Sequence, residues 1–371
     1  MYPDDFLQKK LNERRVNKSL RQLSLPDGKT DFCSNDYLGI VTHSKLIPLM
    51  TGQNPKLKPG STGSRLLTGN YALIEETEKA IAAFHQSDAA LLFNSGYDAN
   101  IGLLSSVPQK GDTVLYDHLC HASIRDGIRL SFAHAFSFAH NDMADLEKKI
   151  AQAAGTVFIV TESVFSMDGD LCPLVELVAI AQKNKAHIII DEAHATGILG
   201  DNGEGLVQKL QMQATVFARI HTFGKACGCH GAVVLGSLAL REYLLNFARS
   251  FIFSTALPEQ AVAVIKESYR IFPGMHAERK QLQLLIEHFQ SAVLGYEKLT
   301  SATPIQIVVI PGNEQVKRVA EKLQRNGLDV RAILYPTVPK GKERLRIVLH
   351  AFNTVEEVGK LVSLLGADKA D

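Results

Sequence analysis

The chain has 371 residues, and its 40 lysines and arginines nearly balance its 39 aspartates and glutamates. A balanced charge argues against a general nucleic-acid surface and against an anionic-membrane surface. Five scattered cysteines without a CxxC pair favour a reducing compartment over a disulfide framework. The amino terminus lacks the apolar core of a signal peptide, and no apolar run has the length of a membrane span. We therefore expect a cytoplasmic protein.

The first residues, 1 to about 25, predict a charged helical arm with a thin apolar stripe. The stripe consists of Phe6, Leu7, Leu11 and Leu20. Such an arm rarely folds alone, so we expect it to pack on the main body or on a second subunit. The segment Asp31–Ile40 then indicates a strand and a turn, and composition alone favours an ordinary entry loop.

A glycine-rich segment, Lys58–Asn70, can either line a ligand pocket or form a flexible loop. The next segment, Tyr71–Phe84, has the apolar spacing of an amphipathic helix. Its predicted buried face consists of Leu73, Ile74, Thr77, Ala80, Ile81 and Phe84.

A short buried run, Ala89–Phe93, precedes a helix that Gly96 and Tyr97 are expected to open. The amino terminus of a helix that follows a strand offers free backbone N–H groups to a phosphate.

Strand and helix patterns alternate from there to about residue 237, which predicts an α/β fold with a mostly parallel sheet flanked by helices. The predicted strands are Thr113–Asp117, Thr156–Val160, His187–Ile190, Thr215–Ile220 and Gly231–Ser237. A long helical region follows at roughly 238–295, with a break around 250–258.

The last quarter predicts a small α+β domain. Its strands are Ile305–Ile310, Leu328–Leu334 and Arg344–Leu349, and its helices run from Asn313 to Gly327 and from Asn353 to Gly366. We predict three parts: an arm at 1–40, a large domain at 41–272 and a carboxy-terminal domain at 273–371.

Polar residues follow three of the predicted strands, where α/β sheets bind ligands. The three strand ends supply Glu162 and Ser166, Asp191 and His194, and Thr222 and Lys225. An amine near a cofactor can form a Schiff base, although a loop lysine can also simply reach solvent. A carboxylate beside a pyridine nitrogen favours its protonated form, although Asp191 can also cap a helix. Our interpretation is a phosphorylated aldehyde cofactor bound to Lys225.

Other kinds of site fit the sequence less well. Two sets of possible metal ligands, His187, Asp191 and His194, and His118, Cys120 and His121, lack HExxH or paired-cysteine spacing. No metal is therefore predicted. The segment around Ser95 lacks both glycines of a hydrolase nucleophile elbow. A Walker loop ending at Lys225 would need glycine at 219 and a hydroxyl at 226, and the glycines at 197–205 do not fit a dinucleotide-binding pattern.

Five motifs resemble the α-oxoamine synthases, a family of fold-type I enzymes that depend on pyridoxal phosphate (PLP). They are SNDYLG at 34–39, TESVFSMDGD at 161–170, DEAHATG at 191–197, TFGKACG at 222–228 and PTVPKGKERLR at 336–346. The resemblance covers nearly the whole chain. It implies a large PLP-binding domain with a mostly parallel sheet, a smaller α+β domain and an amino-terminal helical arm.

The resemblance also implies roles for individual residues. Lys225 would hold PLP as a Schiff base, Asp191 would pair with the ring nitrogen, and His121 would stack on the ring. These three are the expected catalytic residues. The remaining cofactor ligands are expected to be His194 and Ser166 at the ring oxygen, and Gly96, Tyr97 and Thr222 at the phosphate, helped by Ser254 or Thr255 of the partner subunit.

The substrate residues are implied in the same way. Arg346 would bind the carboxylate of the amino acid, with Asn35 beside it, while Arg21 and Thr337 would contact the acyl substrate or product. His121 is also expected to contact the substrate. The DEAHATG and PTVP segments favour the branch of biotin synthesis that joins L-alanine to a pimeloyl thioester, on acyl carrier protein or coenzyme A, with loss of carbon dioxide.

Two alternatives to this expectation remain. A sister synthase, for example one that joins glycine to acetyl-CoA, would share the same motifs. A non-catalytic protein with this fold is disfavoured because Lys225, Asp191, His194, His121 and Arg346 are all present. The family resemblance further implies a homodimer with the site at the interface.

Overall fold

A computed structural model describes residues 4–23, 25–26, 28–50 and 57–366 of the chain. The chain divides into two compact units. The smaller unit comprises residues 1–37, 167–170 and 280–371, and the larger unit comprises residues 38–166 and 171–279. No helix in the described part of the chain combines the length and apolar character needed to cross a bilayer.

The secondary structure follows the predicted alternation. The strands are β1 (Thr30–Asp31), β2 (Ala89–Phe93), β3 (Thr113–Asp117), β4 (His134–Phe138), β5 (Val157–Glu162), β6 (His187–Asp191), β7 (Ala218–Thr222), β8 (Ala232–Gly236), β9 (Glu297–Lys298), β10 (Ile305–Val309), β11 (Leu328–Asp329), β12 (Arg331–Ile333) and β13 (Arg344–Val348). The helices are α1 (Asp5–Val16), α2 (Ile47–Met50), α3 (Ala72–Phe84), α4 (Gly96–Ser106), α5 (Ala122–Leu130), α6 (Met143–Ile150), α7 (Leu174–Lys183), α8 (Leu206–Lys209), α9 (Leu238–Phe247), α10 (Arg249–Ile252), α11 (Glu259–Ile271), α12 (His276–Ser291), α13 (Asn313–Arg325) and α14 (Val355–Gly366).

The larger unit is built on a seven-stranded sheet in the order β2-β8-β7-β6-β5-β3-β4. Strands β3 to β7 pair in parallel, and β8 runs antiparallel to both β7 and β2. The predicted mostly parallel sheet is confirmed. The central strands are buried, as near-continuous apolar sequence requires of a sheet covered on both faces. Strand β4 was not predicted, because only its last residue, Phe138, is buried and its sequence has no continuous apolar run.

The register of the central strands places their polar ends side by side. Glu162 pairs with Asp191, and Asp191 pairs with Ile220, so β5, β6 and β7 end at one edge of the sheet. Helices α4 and α5 contribute Leu103 and Ile124 to the apolar core on that part of the sheet. The predicted helical region after residue 237 corresponds to α9–α12. Its predicted break around 250–258 contains most of the short helix α10 and the segment before α11.

The amino-terminal arm is shorter than predicted. Helix α1 ends at Val16, and Lys18 has a φ of 52°, which a continuing helix does not allow. None of the residues of α1 is buried, and Phe6 of the predicted apolar stripe is 77% exposed. The predicted extension of this helix to about residue 25 is therefore wrong, and its predicted first three residues lie outside the described part of the chain.

The smaller unit contains an antiparallel sheet in the order β12-β13-β10-β9, together with α13 and α14. The segment Leu328–Leu334, predicted as one strand, forms two. Strand β11 pairs in parallel with β1, whereas β12 pairs with β13, and Val330 lies between them. Both strands are apolar enough to fit the single predicted strand, so sequence pattern alone could not reveal the change of partner.

The buried face of α3 differs from the predicted apolar face because it includes an acid in an ion pair. Ala80 is exposed, whereas Glu78 is buried at 3% exposure. The Glu78 carboxylate accepts hydrogen bonds from Arg65 at 2.8 Å and from Arg241 at 3.2 Å, and Glu78 Oε1 also accepts from the N–H of Leu92 in β2. This carboxylate joins α3 to β2 and α9.

We expect Glu78→Ala to lower the free energy of unfolding by about 3–5 kcal/mol, because it leaves a buried guanidinium without its counter-charge. Glu76→Ala is the matched control. Glu76 is on the same helix and pairs with Lys266 at 2.7 Å, but its side chain is 60% exposed, so the loss should be much smaller than that of Glu78→Ala. Chemical denaturation of both variants measures the difference, and equal losses would contradict a structural role for Glu78.

Candidate active site

The structure brings Lys225 and His194 of the larger unit into contact. Lys225 lies in the turn after β7, and His194 lies in the turn after β6. Lys225 Nζ is 2.9 Å from His194 Nε2, which is hydrogen-bond distance. His194 is 5% exposed, so this contact is shielded from solvent. The two residues that the sequence placed at separate strand ends therefore form one polar pair.

Asp191 ends β6 with its carboxylate held by two donors. Asp191 Oδ2 accepts a hydrogen bond from Asn100 Nδ2 at 2.8 Å, and Oδ1 accepts one from the N–H of Ala193 at 2.9 Å. Asn100 was not predicted as a site residue. It lies on α4 one turn after Gly96 and is 1% exposed, so a buried polar residue on an otherwise apolar helix face was the available signal. These bonds fix the orientation of the Asp191 carboxylate.

His121 caps the amino terminus of α5 and connects to the same network. Its N–H donates to Glu162 Oε1 at 2.6 Å, and its Nδ1 lies 2.7 Å from Ser123 Oγ. Ser123 Oγ in turn accepts from Asn100 Nδ2 at 3.1 Å, which leaves the hydroxyl proton for His121 Nδ1. Burial lowers the pKa of His121, so its imidazole is neutral at pH 7.

The charges of Lys225 and Asp191 both influence the pKa values of His121 and Glu162. Asp191 raises the pKa of His121 and Lys225 lowers it, both less strongly than burial does. Burial, followed by repulsion from Asp191, raises the pKa of Glu162 to about 8, and Lys225 opposes this. Glu162, which the sequence showed only as a strand-end acid, is therefore a neutral carboxylic acid at pH 7 that accepts a hydrogen bond from the His121 backbone.

A pocket for an anion begins at Gly96, the first residue of α4. The Ser95 side chain caps this helix by accepting from the N–H of Asp98 at 3.0 Å. A Cβ atom on Gly96 would lie 2.4 Å from Thr222 Cγ2, so glycine is required for this close approach. Thr222 Oγ1 is buried and has no hydrogen-bond partner among the described residues. The helix terminus and this hydroxyl together can hold an anion.

The remaining predicted cofactor ligands, Tyr97, Ser166, Ser254 and Thr255, also belong to the larger unit. Tyr97 is 47% exposed, and its hydroxyl donates to Asp126 Oδ2 at 2.5 Å. Ser166 lies in the turn after β5. Asn94 lies two residues before Gly96, and its Nδ2 donates to the carbonyl oxygen of Thr255 at 2.9 Å. Ser254 is the neighbour of Thr255. Their assigned roles stay predictions.

The predicted substrate residues lie in the smaller unit as two pairs. Arg346 Nη2 on β13 donates to Asn35 Oδ1 at 3.0 Å, and the Tyr37 hydroxyl donates to the same oxygen at 3.1 Å. Arg21 Nη2 donates to Thr337 Oγ1 at 3.2 Å. The structure thus brings together each pair that was assigned to one part of the substrate, and the assignments themselves stay predictions.

The alternative metal sets do not assemble. His187 and Asp191 stand at opposite ends of β6, which at about 3.3 Å per residue is roughly 13 Å long. His187 instead packs against the rings of Phe158 and Phe217. Among the residues that the structure describes, no group of three or more histidine, cysteine, aspartate or glutamate side chains could hold a metal ion.

Comparison with known sequences gives a consistent result. The family model for aminotransferases of class I and II matches residues 27–365. The 8-amino-7-oxononanoate synthase of Emericella nidulans is 41% identical to the chain, with 97% of this chain and 94% of that protein covered. A protein of Bacillus licheniformis named as a putative 8-amino-7-oxononanoate synthase is 40% identical, with coverages of 97% and 96%.

Solved structures agree over almost the full length. The serine palmitoyltransferase of Sphingomonas wittichii gives a TM-score of 0.89 at 28% identity, covering 98% of this chain and 96% of that chain. The enzyme of the same name from S. paucimobilis, with a bound adduct of PLP and myriocin, gives 0.88 at 28% identity with the same coverages. An 8-amino-7-oxononanoate synthase from Francisella tularensis gives 0.78 at 28% identity, with coverages of 92% and 97%.

These matches confirm the predicted fold type I, and both the sequence and the fold point to one family. The chain belongs to the class I and II aminotransferase family.

Proposed function

We propose that the protein is a PLP-dependent acyltransferase of biotin biosynthesis that condenses L-alanine with a pimeloyl thioester. The products are 8-amino-7-oxononanoate, carbon dioxide and the free thiol of the carrier, which is acyl carrier protein or coenzyme A. The observation that carries the proposal is the 2.9 Å contact of Lys225 Nζ with His194 Nε2 in a chain about 40% identical to proteins with this synthase name. The names of these relatives do not favour the alternative of a glycine acyltransferase.

The residues present fit PLP. A phosphate needs donors and space. The buried Thr222 hydroxyl has no partner among the described residues, and the Thr222 methyl group lies close to Gly96 at the amino terminus of α4. A protonated ring nitrogen needs an oriented carboxylate, and Asp191 is held by Asn100 and the Ala193 N–H. The cofactor would be held by Gly96, Tyr97, His121, Ser166, Asp191, His194, Thr222, Lys225, Ser254 and Thr255. When bound, PLP would supply an aldehyde for an amine and an electron sink for the deprotonated amino acid.

Lys225 supplies the amine that moves the proton. As a neutral base, its Nζ would take the α-proton of L-alanine and return a proton to the product. The hydrogen bond to His194 Nε2 positions that amine. His121, neutral and fixed by Ser123, presents an uncharged ring face next to the reacting groups.

Substrate binding would use the paired residues of the smaller unit. The Arg346 guanidinium is suited to the α-carboxylate of the amino acid, because a planar fork of donors matches a carboxylate. Asn35, which already accepts from Arg346 and from Tyr37, orients that guanidinium. Arg21 and Thr337 would contact the acyl chain or the product.

We further propose that the enzyme works as a cytoplasmic homodimer in which Ser254 or Thr255 of the partner subunit helps to bind the phosphate. Exposed apolar side chains support an interface on the larger unit near these residues. Leu67 is 81% exposed and Phe253 is 71% exposed, and both lie next to the β-bridge between Ser64 and Thr255. Large apolar side chains exposed near the proposed partner contacts support such an interface.

The substrate assignment predicts a defined product spectrum. Purified protein loaded with PLP should form 8-amino-7-oxononanoate from L-alanine and pimeloyl-CoA, detected by mass spectrometry together with released carbon dioxide. Glycine and L-serine serve as matched competitors under the same conditions. Faster turnover with glycine and acetyl-CoA would contradict the proposal and favour the sister activity.

Lys225→Ala should abolish the covalent attachment of PLP and reduce turnover by several orders of magnitude, because both the Schiff base and the proton-transferring amine are lost. Borohydride reduction followed by peptide mass mapping should find PLP on Lys225 in the wild type and no PLP-modified peptide in the variant. Lys209→Ala, at an exposed position of α8, is the control and should keep both properties. A modified lysine elsewhere in the chain would refute the assignment.

Gly96→Ala should weaken PLP binding by roughly 10- to 100-fold, because the added methyl group would lie 2.4 Å from Thr222 Cγ2 and overpacking costs about 1–3 kcal/mol. Gly274→Ala is the matched control, since no heavy atom lies within 4 Å of its added Cβ. Equilibrium dialysis of PLP measures both variants. Equal affinities would place the phosphate away from α4.

A further inference from the structure

A second set of polar side chains is buried behind the sheet edge that carries the candidate site. Glu192 follows Asp191, and His221 precedes Thr222, so side chains that alternate along a strand direct Glu192 and His221 to the opposite face. Glu192 and His221 are fully buried, and Thr196 is 1% exposed. We call Glu192, Thr196 and His221 the Glu192 cluster. None of the three has a role in the reaction proposed above.

The cluster has more hydrogen-bonding atoms than hydrogen bonds. Thr196 Oγ1 lies 2.7 Å from the carbonyl oxygen of Glu192 and 2.8 Å from His221 Nδ1. Glu192 Oε1 accepts from the N–H groups of Leu206 and Val207, whereas Oε2 lies 3.7 Å from His221 Nε2. Neither Oε2 nor Nε2 has a hydrogen-bond partner within the described ranges.

The single hydroxyl proton of Thr196 allows two arrangements. If Glu192 is protonated on Oε2, it faces an unprotonated His221 Nε2. His221 Nδ1–H then donates to Thr196, and Thr196 donates to the Glu192 carbonyl. If Glu192 is a carboxylate, His221 carries its proton on Nε2, Nδ1 accepts the Thr196 proton, and the bond from Thr196 to the Glu192 carbonyl is lost.

The surroundings favour the protonated acid near neutral pH. Burial raises the pKa of Glu192 to about 7, although Arg219, the N–H groups of Val207 and Leu206 and the Ser163 side chain oppose this shift. Burial, His85 and Arg219 hold the pKa of His221 well below its usual value, so His221 stays neutral. The ring of His85 lies 4.0 Å from that of His221, and the Tyr269 hydroxyl lies 3.0 Å from His85 Nε2.

The Glu192 carbonyl is the anchor of the turn that carries His194. It accepts from the N–H groups of Ala195 and Thr196 at 3.0 and 2.9 Å, as well as from the Thr196 hydroxyl. His194 lies inside this turn, with its Nε2 2.9 Å from Lys225 Nζ. Losing the hydroxyl bond would loosen one side of the turn and hence the position of His194.

We propose that Glu192 is a positioning residue whose protonation state, read through His221 and Thr196, sets the hydrogen bond that holds His194 against Lys225. The proposal deepens the function of the same site, and its catalytic part rests on the proposed function. In this arrangement the proton of Glu192, on one face of the sheet, controls the position of the Lys225 amine on the other.

Glu192→Gln tests the proposal, because the amide keeps an oxygen for Leu206 and Val207 and donates to His221 Nε2 at every pH. Infrared spectroscopy of the wild type should show protonated carboxyl bands near pH 6 that disappear as the pH rises to about 9. Glu192→Gln should lack one of these bands, leaving that of Glu162. Glu176→Gln, which removes an exposed carboxylate on α7, should leave the spectrum unchanged.

Stability gives a second readout that does not depend on catalysis. Since folding raises the pKa of Glu192 from 4.5 to about 7, its contribution to stability is complete below pH 4.5 and is lost as the pH rises through about 7. The melting temperature of the wild type should therefore fall relative to that of Glu192→Gln over this range. A constant difference, or an unchanged carboxyl band, would overturn the proposal.

Kinetics tests the link to the site. Wild-type kcat should fall with an inflection near pH 7, and Glu192→Gln should lose this inflection while its kcat at pH 6 stays within threefold of the wild type. Thr196→Val should lower kcat at least tenfold at pH 6, where the wild type keeps the Thr196 bond to the Glu192 carbonyl, without a matching rise in KM, and Thr196→Ser should restore it. An inflection retained in Glu192→Gln would overturn the proposal. If no condensation activity is found at all, the proposed function fails, while the infrared and melting results still decide the protonation of Glu192.

Discussion

The parallel register of β5, β6 and β7 determines where the polar groups of the candidate site lie. Glu162 pairs with Asp191 and Asp191 with Ile220, so the acids and the turns that follow them emerge at one edge. A shift of one residue would turn each side chain to the other face of the sheet. The register therefore selects Asp191 rather than Glu192 for the site, and Thr222 rather than His221. Lys225 reaches His194 only because both turns start from this edge.

Asn100 and Ser123 hold the side chains of Asp191 and His121 in fixed orientations. Asn100 uses both amide protons, one on Asp191 Oδ2 and one on Ser123 Oγ, and Ser123 orients His121. The acid and the imidazole are thus connected through one amide group and one hydroxyl. Groups that are oriented in advance need no reorganisation when a charge develops beside them, which is the main source of electrostatic catalysis. Replacing any link would therefore affect residues that it does not touch.

The sequence was most informative where a polar residue directly follows a buried strand. Asp191, His194, Thr222 and Lys225 were all predicted in this way, and the motif resemblance correctly indicated the family and the fold. The sequence was silent where function depends on pairing between distant segments. Asn100 meets Asp191 across 91 positions, and the exposed edge strand β4 and the two partners of Leu328–Leu334 depend on neighbours that no local pattern identifies. Glu78 was missed because a buried acid is unusual and needs Arg65 and Arg241, which lie 13 and 163 residues away in the sequence.

Three acids are buried at the ends of two neighbouring strands, β5 and β6, where their negative charges would repel one another. Glu162, Asp191 and Glu192 are each at most 5% exposed, and three buried negative charges at this spacing would repel one another strongly. The structure reduces this repulsion because two of the three acids ionise less readily than usual. Burial raises the pKa of Glu162 to about 8 and that of Glu192 to about 7, with Asp191 adding to the shift of Glu162.

Side-chain donors converge on the third acid instead, because Asn100 and the Ala193 N–H both point at Asp191. Concentrating the negative charge at one oriented carboxylate is what a cationic ring nitrogen requires, since charges spread over both faces of the sheet would not select one position. Glu162 and Glu192 then serve as hydrogen-bonding groups, Glu162 for the backbone of His121 and Glu192 for the amino terminus of α8. Their neutrality depends on pH, so the same arrangement that isolates one charge also makes the geometry of the site sensitive to protonation near pH 7.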